Sequence, residues 1–273
     1  MPLHHDLDEI LIDYQAMKIG ELKESEYRFT IQNTEIDNLL RINPQVYLPN
    51  LNESIKQIES IDGIDGWSVT TIGQITKDVR IFKGPRLKSE NLIVEELADG
   101  VEPYYTPSAV LQEKSDSVKL LNVNFATEKQ LATINAVRVY RGDIVITRSG
   151  TIGRVAYITE RLDGAIVSDD LIRVRIEDEE LRLYVYQFLQ TEKALNQMLR
   201  NEYGAVQQHL EPAHISGILI PVPDDLSVLE NVISLTAEQI TLKERLEEMN
   251  QALVSESESL LSSLISSGVD KIA

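Results

Sequence analysis

The stretch Gly142-Asp143-Ile144-Val145-Ile146-Thr147-Arg148-Ser149-Gly150-Thr151-Ile152-Gly153-Arg154-Val155 contains two β-branched runs on either side of a short turn. Runs of β-branched residues favour strands, and glycine supplies the backbone freedom that a tight turn needs. The sequence therefore predicts two strands joined by a turn that carries hydroxyl groups and arginines. The spacing of a phosphate-cradling loop is missing, so we interpret Gly150 and Gly153 as structural.

Similar runs continue on both sides of this turn, separated by Gly, Pro, Asn and Asp. They lie at residues 67–72, 137–140, 144–147, 155–158, 165–167 and 171–176. Short β-branched runs bounded by turn residues predict the strands of an irregular, mainly β domain. The double turn signal Asp62-Gly63-Ile64-Asp65-Gly66 places the start of this domain near residue 61.

The apolar period changes after the last of these strands. Between residues 181 and 201, apolar side chains recur mostly at steps of three and four, which predicts one amphipathic helix. A return segment, 215–223, contains Pro221 and Pro223, which end the domain. We therefore predict a domain over 61–223, preceded by an N-terminal extension, 1–60, that shows no clear pattern.

Residues 224–273 are predicted to form a long helix, because no Gly or Pro follows Pro223 until Gly268. Its heptad stripe consists of Val228, Val232, Leu235, Leu242, Leu246, Met249, Leu253 and Leu260. Such a helix, about 60 Å long, satisfies its stripe by pairing with another helix. The alternative is a long core helix within one globular domain, but the acidic residues around the stripe favour a coiled coil. The predicted fold class is therefore α+β, a mixed, mainly β domain with an amphipathic helix, followed by a long C-terminal coiled-coil helix.

The charge of the chain is strongly negative, with 26 Lys and Arg against 44 Asp and Glu. Residues 61–220 hold 18 of the basic and 23 of the acidic side chains, so most of the excess acid lies in the two flanks. A nucleic-acid surface therefore requires clustering of basic residues in the middle segment. We expect a partner that adds positive surface to raise the affinity for DNA.

No catalytic or metal-binding motif is found in the sequence. The chain has no cysteine, its four histidines are scattered, and no nucleotide-binding, zinc-protease or serine-hydrolase motif occurs. The pair Asp169-Asp170 is interpreted as a solvated acidic loop. We predict no enzymatic activity, no metal and no cofactor in this chain. The absence of a long apolar run and of a basic N-terminal signal predicts a cytoplasmic protein.

Two loops carry the side-chain types that bond phosphates and base edges. The turn described first provides Arg148, Ser149, Thr151 and Arg154, and a loop about fifty residues later provides Tyr203, Gln207, Gln208 and His209. We predict that these eight residues bind duplex DNA, with base contacts from 207–209.

The order of these motifs resembles the target-recognition domains of type I restriction-modification specificity subunits. The resemblance rests on the turn 142–153, on Gly204-Ala205-Val206-Gln207-Gln208-His209-Leu210, and on the exit Ile220-Pro221-Val222-Pro223 into a long helix. It covers roughly residues 60–265. The segment Lys83-Gly84-Pro85-Arg86-Leu87-Lys88-Ser89 also looks like part of this family, which adds Lys83, Arg86 and Lys88 as positioning contacts.

The resemblance implies a non-catalytic DNA specificity subunit that reads one half of a split duplex site. It also implies DNA adenine methyltransferase partners that bring S-adenosylmethionine, and possible motor-nuclease partners. Full-length family members have two recognition domains and two spacer helices, whereas this chain has one of each. We therefore expect a half-size subunit that forms a homodimer, or one that pairs its helix with another specificity half. Two alternatives stay open: an acidic assembly protein or DNA mimic, and a detached tail of a methyltransferase–nuclease fusion.

Overall fold

The computed structural model describes residues 49–111, 118–201 and 209–269. A four-stranded antiparallel sheet at its centre has the order β2-β9-β6-β7. Its strands are β2 (Arg80–Lys83), β6 (Ile144–Thr147), β7 (Val155–Tyr157) and β9 (Leu171–Arg175). All four residues of β6 are buried, because Ile144 and Ile146 face one apolar cluster and Val145 faces another. The two strands and the turn predicted for 142–155 are confirmed.

A second four-stranded sheet has the order β3-β5-β4-β8. Its strands are β3 (Ile93–Val94), β4 (Val101–Tyr105), β5 (Val118–Asn122) and β8 (Ile166–Val167). Only the β4–β8 pair is parallel. Two helices accompany this sheet, α2 (Pro107–Leu111) and α3 (Glu128–Ala136). Helix α3 begins at Thr127 with a capping box to Gln130, and its buried Ile134 packs in one cluster with Leu121 and Ile166.

The strand predicted over 137–140 is absent from the structure, where only an isolated bridge joins Arg138 to Ile166. The carbonyl oxygens of Ala136 and Arg138 bond to a side chain, while Val137 and Val139 bond to the backbone of residues 164–167. The buried guanidinium of Arg173 donates to the carbonyl oxygens of Ala136, at 2.7 Å, and of Arg138, at 2.6 Å. Burial lowers the pKa of Arg173 to about 10. The β-branched valines at 137 and 139 are buried as core residues without belonging to a strand.

Two helices, α4 (Glu179–Leu189) and α5 (Glu192–Asn201), replace the single helix predicted over 181–201. The break follows from the hydroxyl of Thr191, which donates to the carbonyl oxygen of Phe188 at 2.7 Å and accepts from the backbone N–H of Ala194 at 3.3 Å. Thr191 thus caps the second helix. Helix α4 begins at Asp178, whose side chain accepts from the N–H of Leu181, and it covers one face of the central sheet.

The beginning and the end of the predicted domain lie side by side. Strand β1 (Trp67–Thr71) pairs antiparallel with β10 (Leu219–Pro223), so that Trp67 lies opposite Pro223. Helix α6 (Pro212–Ser216) precedes β10. Helix α1 (Pro49–Glu59) lies before the predicted boundary at residue 61 yet contacts the domain. The boundaries at 60 and 223 themselves stay a prediction.

Helix α1 packs against α5 through polar side chains. The amide of Asn196 donates to the hydroxyl of Ser54 at 2.9 Å, and both side chains are buried. The guanidinium of Arg200 donates to Asn52 at 3.0 Å, and Lys193 bonds to Gln57. The N-terminal helix is therefore part of the same packed body as the sheets.

The last helix, α7 (Glu230–Val269), follows a short 3-10 helix, Leu226–Leu229, in which the Asp225 carboxylate accepts from the N–H of Ser227. The helix thus begins six residues after the predicted position, and its 40 residues span about 60 Å. The side chains of its heptad stripe are 38–62% exposed. The alternative of a core helix is wrong for this stripe, and the predicted fold class is confirmed.

Helix α7 meets the domain with its other face, where Thr236, Ile240 and Glu247 are buried. The carboxylate of Glu247 accepts from the hydroxyl of Thr159 at 2.6 Å and lies 3.4 Å from Nε of Arg161. One turn earlier, Glu244 accepts two hydrogen bonds from Arg141, at 3.0 and 3.2 Å. These polar contacts and the apolar contact of Ile240 fix the first half of the helix on the domain.

Candidate nucleic-acid interface

The turn between β6 and β7 is held by its own hydrogen bonds. The hydroxyl of Thr147 donates to the carbonyl oxygen of Thr151 at 2.5 Å and accepts from the N–H of Arg154 at 3.0 Å. Gly150 and Gly153 have φ values of +73° and +78°, in the left-handed region. A Cβ atom on Gly153 would lie 2.7 Å from Cδ1 of Leu195 in α5, so this position needs glycine for space as well as for conformation.

Asp143, the second residue of the 142–155 motif, has a structural role. Asp143 is 2% exposed, and its carboxylate accepts two hydrogen bonds from the guanidinium of Arg175, at 2.6 and 2.7 Å. It also accepts from the backbone N–H of Tyr140 at 2.9 Å. A buried carboxylate with three hydrogen bonds stabilises the approach to β6. It is not available to a ligand.

Arg148 connects the turn to the chain that leads into α6. Its Nη2 donates to Glu211 at 2.6 Å, its Nε donates to the carbonyl oxygen of Leu210 at 3.2 Å, and its own carbonyl oxygen accepts from the N–H of Leu210 at 2.9 Å. The Arg148 side chain is only 11% exposed. These contacts give it a role inside the protein, while its predicted contact with DNA stays a prediction.

An open groove of about 550 Å³ lies where this turn meets the second sheet. It brings together four of the predicted DNA-binding residues, namely Arg86, Arg148, Ser149 and His209. The other polar residues of the groove are Ser89, Glu90, Tyr104, Thr106, Lys119, Ser168, Asp169 and Asp170. We call this the recognition groove. The segments that contribute to it are far apart in the sequence and meet because β4 pairs with both β5 and β8.

Asp170 is bonded within the groove. It accepts from the hydroxyl of Ser149 at 2.9 Å and of Ser168 at 3.4 Å, and it lies 3.9 Å from Nη1 of Arg148. The Asp170 side chain is 46% exposed, so it is partly solvated, as the sequence predicted, and also bonded to its neighbours. Burial raises the pKa of the neighbouring Tyr104 phenol, and the charges of the two aspartates raise it further. Tyr104 is consequently a neutral hydroxyl at physiological pH.

The other predicted residues lie elsewhere. Lys88 lines a separate cavity of about 610 Å³, which also includes Arg86 and Lys129. Lys83 ends β2 opposite Ile172, and it does not line the recognition groove. The exposed Thr151 and Arg154 belong to the β6–β7 turn and do not line the groove either. Tyr203, Gln207 and Gln208 lie outside the described residues.

His209 is the described end of the second predicted loop. Its Nδ1 atom is buried and has no hydrogen-bond partner within the part of the chain that the structure describes. The ring lines the recognition groove together with Ser149. The described end of the second loop therefore lies beside the first loop.

Lys119 and Asp169 are groove residues that the predicted set did not include. Lys119 lies in β5 directly opposite Tyr104 of β4, so that both side chains reach the same side of the sheet. Its signal in the sequence is weak, a single lysine between Val118 and Leu120 in an apolar run. Only the strand pairing shows that this lysine belongs beside the β6–β7 turn.

Neither a metal centre nor a membrane span is found among residues 49–111, 118–201 and 209–269. No group of three or more His, Asp or Glu side chains there is placed to hold a metal ion. No helix in these ranges is long and apolar enough to cross a bilayer.

A sequence profile described as "Type I restriction modification DNA specificity domain" matches residues 64–248 of this chain. No curated protein sequence matches significantly. One similar structure comes from work described as "Structural basis underlying complex assembly and conformational transition of the type I R-M system", with 12% identity, a TM-score of 0.46, and coverage of 92% of this chain and 56% of that chain.

Two further solved structures are similar. The HsdS subunit from Thermoanaerobacter tengcongensis shows 13% identity and a TM-score of 0.43, over 74% of this chain and 46% of that chain. The type I restriction-modification S subunit from M. genitalium shows 14% identity and a TM-score of 0.44, over 70% and 42%. The chain thus spans about half the length of the structures it matches.

Proposed function

The chain belongs to the type I restriction modification DNA specificity family, and from this premise we propose that it gives sequence specificity to a DNA methyltransferase complex by binding duplex DNA. The observation that carries the proposal is the recognition groove. It gathers Arg86, Lys119 and the hydroxyl groups of Ser149 and Tyr104 beside the β6–β7 turn and His209. These are the side-chain types that bond phosphate oxygens and base edges.

The proposed DNA contacts divide into two groups. Lys83, Arg86, Lys88 and Arg154 position the backbone, and the segment 207–209 makes base contacts. Ser149, Thr151, Arg148 and Tyr203 complete the proposed set. The excess of acidic residues, 44 against 26, weakens long-range attraction between the free chain and DNA. A methyltransferase subunit that adds positive surface therefore strengthens binding.

We further propose that the chain itself is non-catalytic and acts in the cytoplasm, where its DNA ligand lies. S-adenosylmethionine is expected in the partner adenine methyltransferase subunit, and a motor-nuclease subunit is a further expected partner. The heptad stripe supports pairing of α7 with the same helix of a second copy or with another specificity half. Burying each exposed leucine of the stripe against a partner helix lowers the free energy of the paired state.

The experiment is a binding titration of the chain assembled with a candidate adenine methyltransferase subunit, using labelled duplexes at several salt concentrations. The double substitution Arg86→Ala and Lys119→Ala is expected to weaken binding to all duplexes and to reduce the salt dependence by about 0.9 in slope for each lost phosphate contact. Lys77→Ala is the matched control, since Lys77 is exposed and lies outside the groove.

A second pair of substitutions tests base contacts. Gln207→Ala with Gln208→Ala is expected to change which duplex the complex prefers, because amide side chains bond adenine edges. An unchanged sequence preference would count against the assignment. If the wild-type chain instead blocks DNA binding by the methyltransferase, it is a DNA mimic, which is the alternative that its acidity favours.

A further inference from the structure

Asp169 is the one aspartate of the recognition groove that has no partner among the described residues. It lies in the short connection between β8 and β9, next to Asp170, whose oxygens bond to Ser149 and Ser168. Asp169 lines the groove, but neither a hydrogen bond nor an ion pair engages its carboxylate in the described part of the chain. Its acceptor capacity therefore remains available to a molecule that enters the groove.

The charge balance of the groove differs from that of a site for phosphates alone. Its cationic side chains are Arg86, Lys119 and Arg148, and they are matched by three carboxylates, Glu90, Asp169 and Asp170. A site for the DNA backbone carries a net positive charge, because each phosphate is an anion. A groove with balanced charges suits groups that present both donors and acceptors, as the edges of base pairs do.

Only certain bases satisfy a free carboxylate. In the major groove the hydrogen-bond donors are the N4 amino group of cytosine and the N6 amino group of adenine. Guanine and thymine present acceptor oxygens there, and an acceptor facing a carboxylate leaves both groups unpaired in a desolvated contact.

We propose that Asp169 is a specificity residue that accepts a hydrogen bond from the exocyclic amino group of one cytosine or adenine in the target. The proposal rests on the function proposed above and adds one base class to it. Asp170 and Ser149 act as positioning residues, because their hydrogen bond holds the β8–β9 connection against the β6–β7 turn.

The test selects bound duplexes from a randomised library with the complex of chain and methyltransferase subunit. Wild type, Asp169→Ala and Asp169→Asn are compared with Asp78→Asn, an exposed aspartate outside the groove. Wild type is expected to enrich a motif, and the position that Asp169 reads should select one orientation of a base pair, with its cytosine or adenine on one defined strand. Asp169→Ala should lose the preference at that position alone, with a fall of about tenfold in the ratio of specific to non-specific affinity.

Two further readouts separate base reading from a plain charge effect. Removing a negative charge should leave the non-specific affinity unchanged or raise it. In Asp169→Ala the specific affinity should therefore fall while the non-specific affinity does not. In Asp78→Asn both should move together. Asp169→Asn should shift the position towards adenine, because an amide can bond both N6 and N7 of that base.

The outcomes distinguish the two levels of the proposal. A wild-type complex that selects a motif, with the same base preferences in Asp169→Ala, overturns the role of Asp169 and leaves the specificity function standing. A wild-type complex that binds DNA without selecting any motif overturns both. Because the Asp169 carboxylate has no partner in the described chain, thermal unfolding of the variants should match that of wild type.

Discussion

Strand β6 and helix α7 are both rich in large aliphatic side chains, but these side chains are buried in β6 and exposed in α7. Ile144 and Ile146 of β6 are 0% exposed, whereas Leu235 and Leu246 of α7 are 62% and 59% exposed. The strand is covered on both faces by the rest of the chain. The helix has used its other face to meet the domain, so its aliphatic stripe remains for a second molecule. Aliphatic residues in β6 thus belong to the core, whereas those in α7 form the exposed surface for which we propose helix pairing.

The largest expected effect is in the strand. Ile144→Ala should lower the free energy of unfolding by about 2–5 kcal/mol, because it leaves a cavity in a closely packed cluster. Urea unfolding followed by circular dichroism measures this. Ile93→Ala is the matched control, since Ile93 is 44% exposed and should lose far less. Equal losses in the two variants would contradict the difference in burial.

The corresponding change in α7 should affect association instead. Leu246→Ala is expected to weaken helix pairing by about 1.5–3 kcal/mol per chain, the free energy of burying one leucine. Unfolding of the separated chain should change by less than about 0.5 kcal/mol. Light scattering over a range of concentrations measures the association, and Val254→Ala, exposed but off the stripe, serves as control. A Leu246→Ala variant that unfolds more easily but still associates would contradict the distinction between β6 and α7.

The contact of α7 with the domain depends on polar groups. Weakening it should change the free energy less than the two aliphatic substitutions do. Glu247→Gln keeps the shape of the side chain, but it replaces a charged hydrogen bond to Thr159 with a neutral one and removes the ion pair with Arg161. The two losses should cost about 1–2 kcal/mol. Hydrogen exchange of α7 amides should report faster opening of residues 230–249. The neighbouring Glu248 is exposed, so Glu248→Gln should leave hydrogen exchange of the α7 amides unchanged. Identical exchange in both variants would show that Glu247 does not hold the helix.

Acid should produce the smallest effect. The hydrogen bond from Arg141 holds the pKa of Glu244 below its ordinary value. The stabilisation that this ion pair provides is therefore complete above the pKa of Glu244 in the unfolded chain, about 4.3. It is lost as the pH falls through the lower pKa of Glu244 in the folded protein. The stability difference between wild type and Glu244→Gln should be constant near neutral pH and should shrink below about pH 4. A difference that did not shrink as the pH falls would argue against this ion pair.

The parts of the fold that the sequence predicted are those with a local signal. The turn 142–155 carries its own glycines and hydroxyl groups, and the heptad stripe repeats over several turns of one helix. The apolar pattern does not reveal the break at Thr191, because the polar stretch 190–193 contains no Gly or Pro and apolar residues resume in α5. It does not reveal the docked face of α7 either, since Ile240 there is flanked by the polar Thr236 and Glu247.

The candidate site was predictable only in part, for a related reason. Arg148 looks like any arginine of a DNA-facing loop, and its partner Glu211 lies 63 residues away in the sequence. Lys119 and Asp169 enter the groove because β5 and β8 both pair with β4, which no local motif indicates. Residue type identified the loops, while strand pairing decides which side chains share the groove.

The pairing of β1 with β10 has a consequence for how such a protein can change over time. Trp67 lies opposite Pro223, and the N–H of Asp224 donates to the carbonyl oxygen of Gly66 at 2.9 Å, so the chain enters and leaves the domain at one place. Segments whose ends adjoin can be replaced without moving what flanks them. Recombination at two short stretches of the gene could therefore exchange the whole groove as a cassette, provided that the incoming segment kept the few side chains that meet the flanking helices.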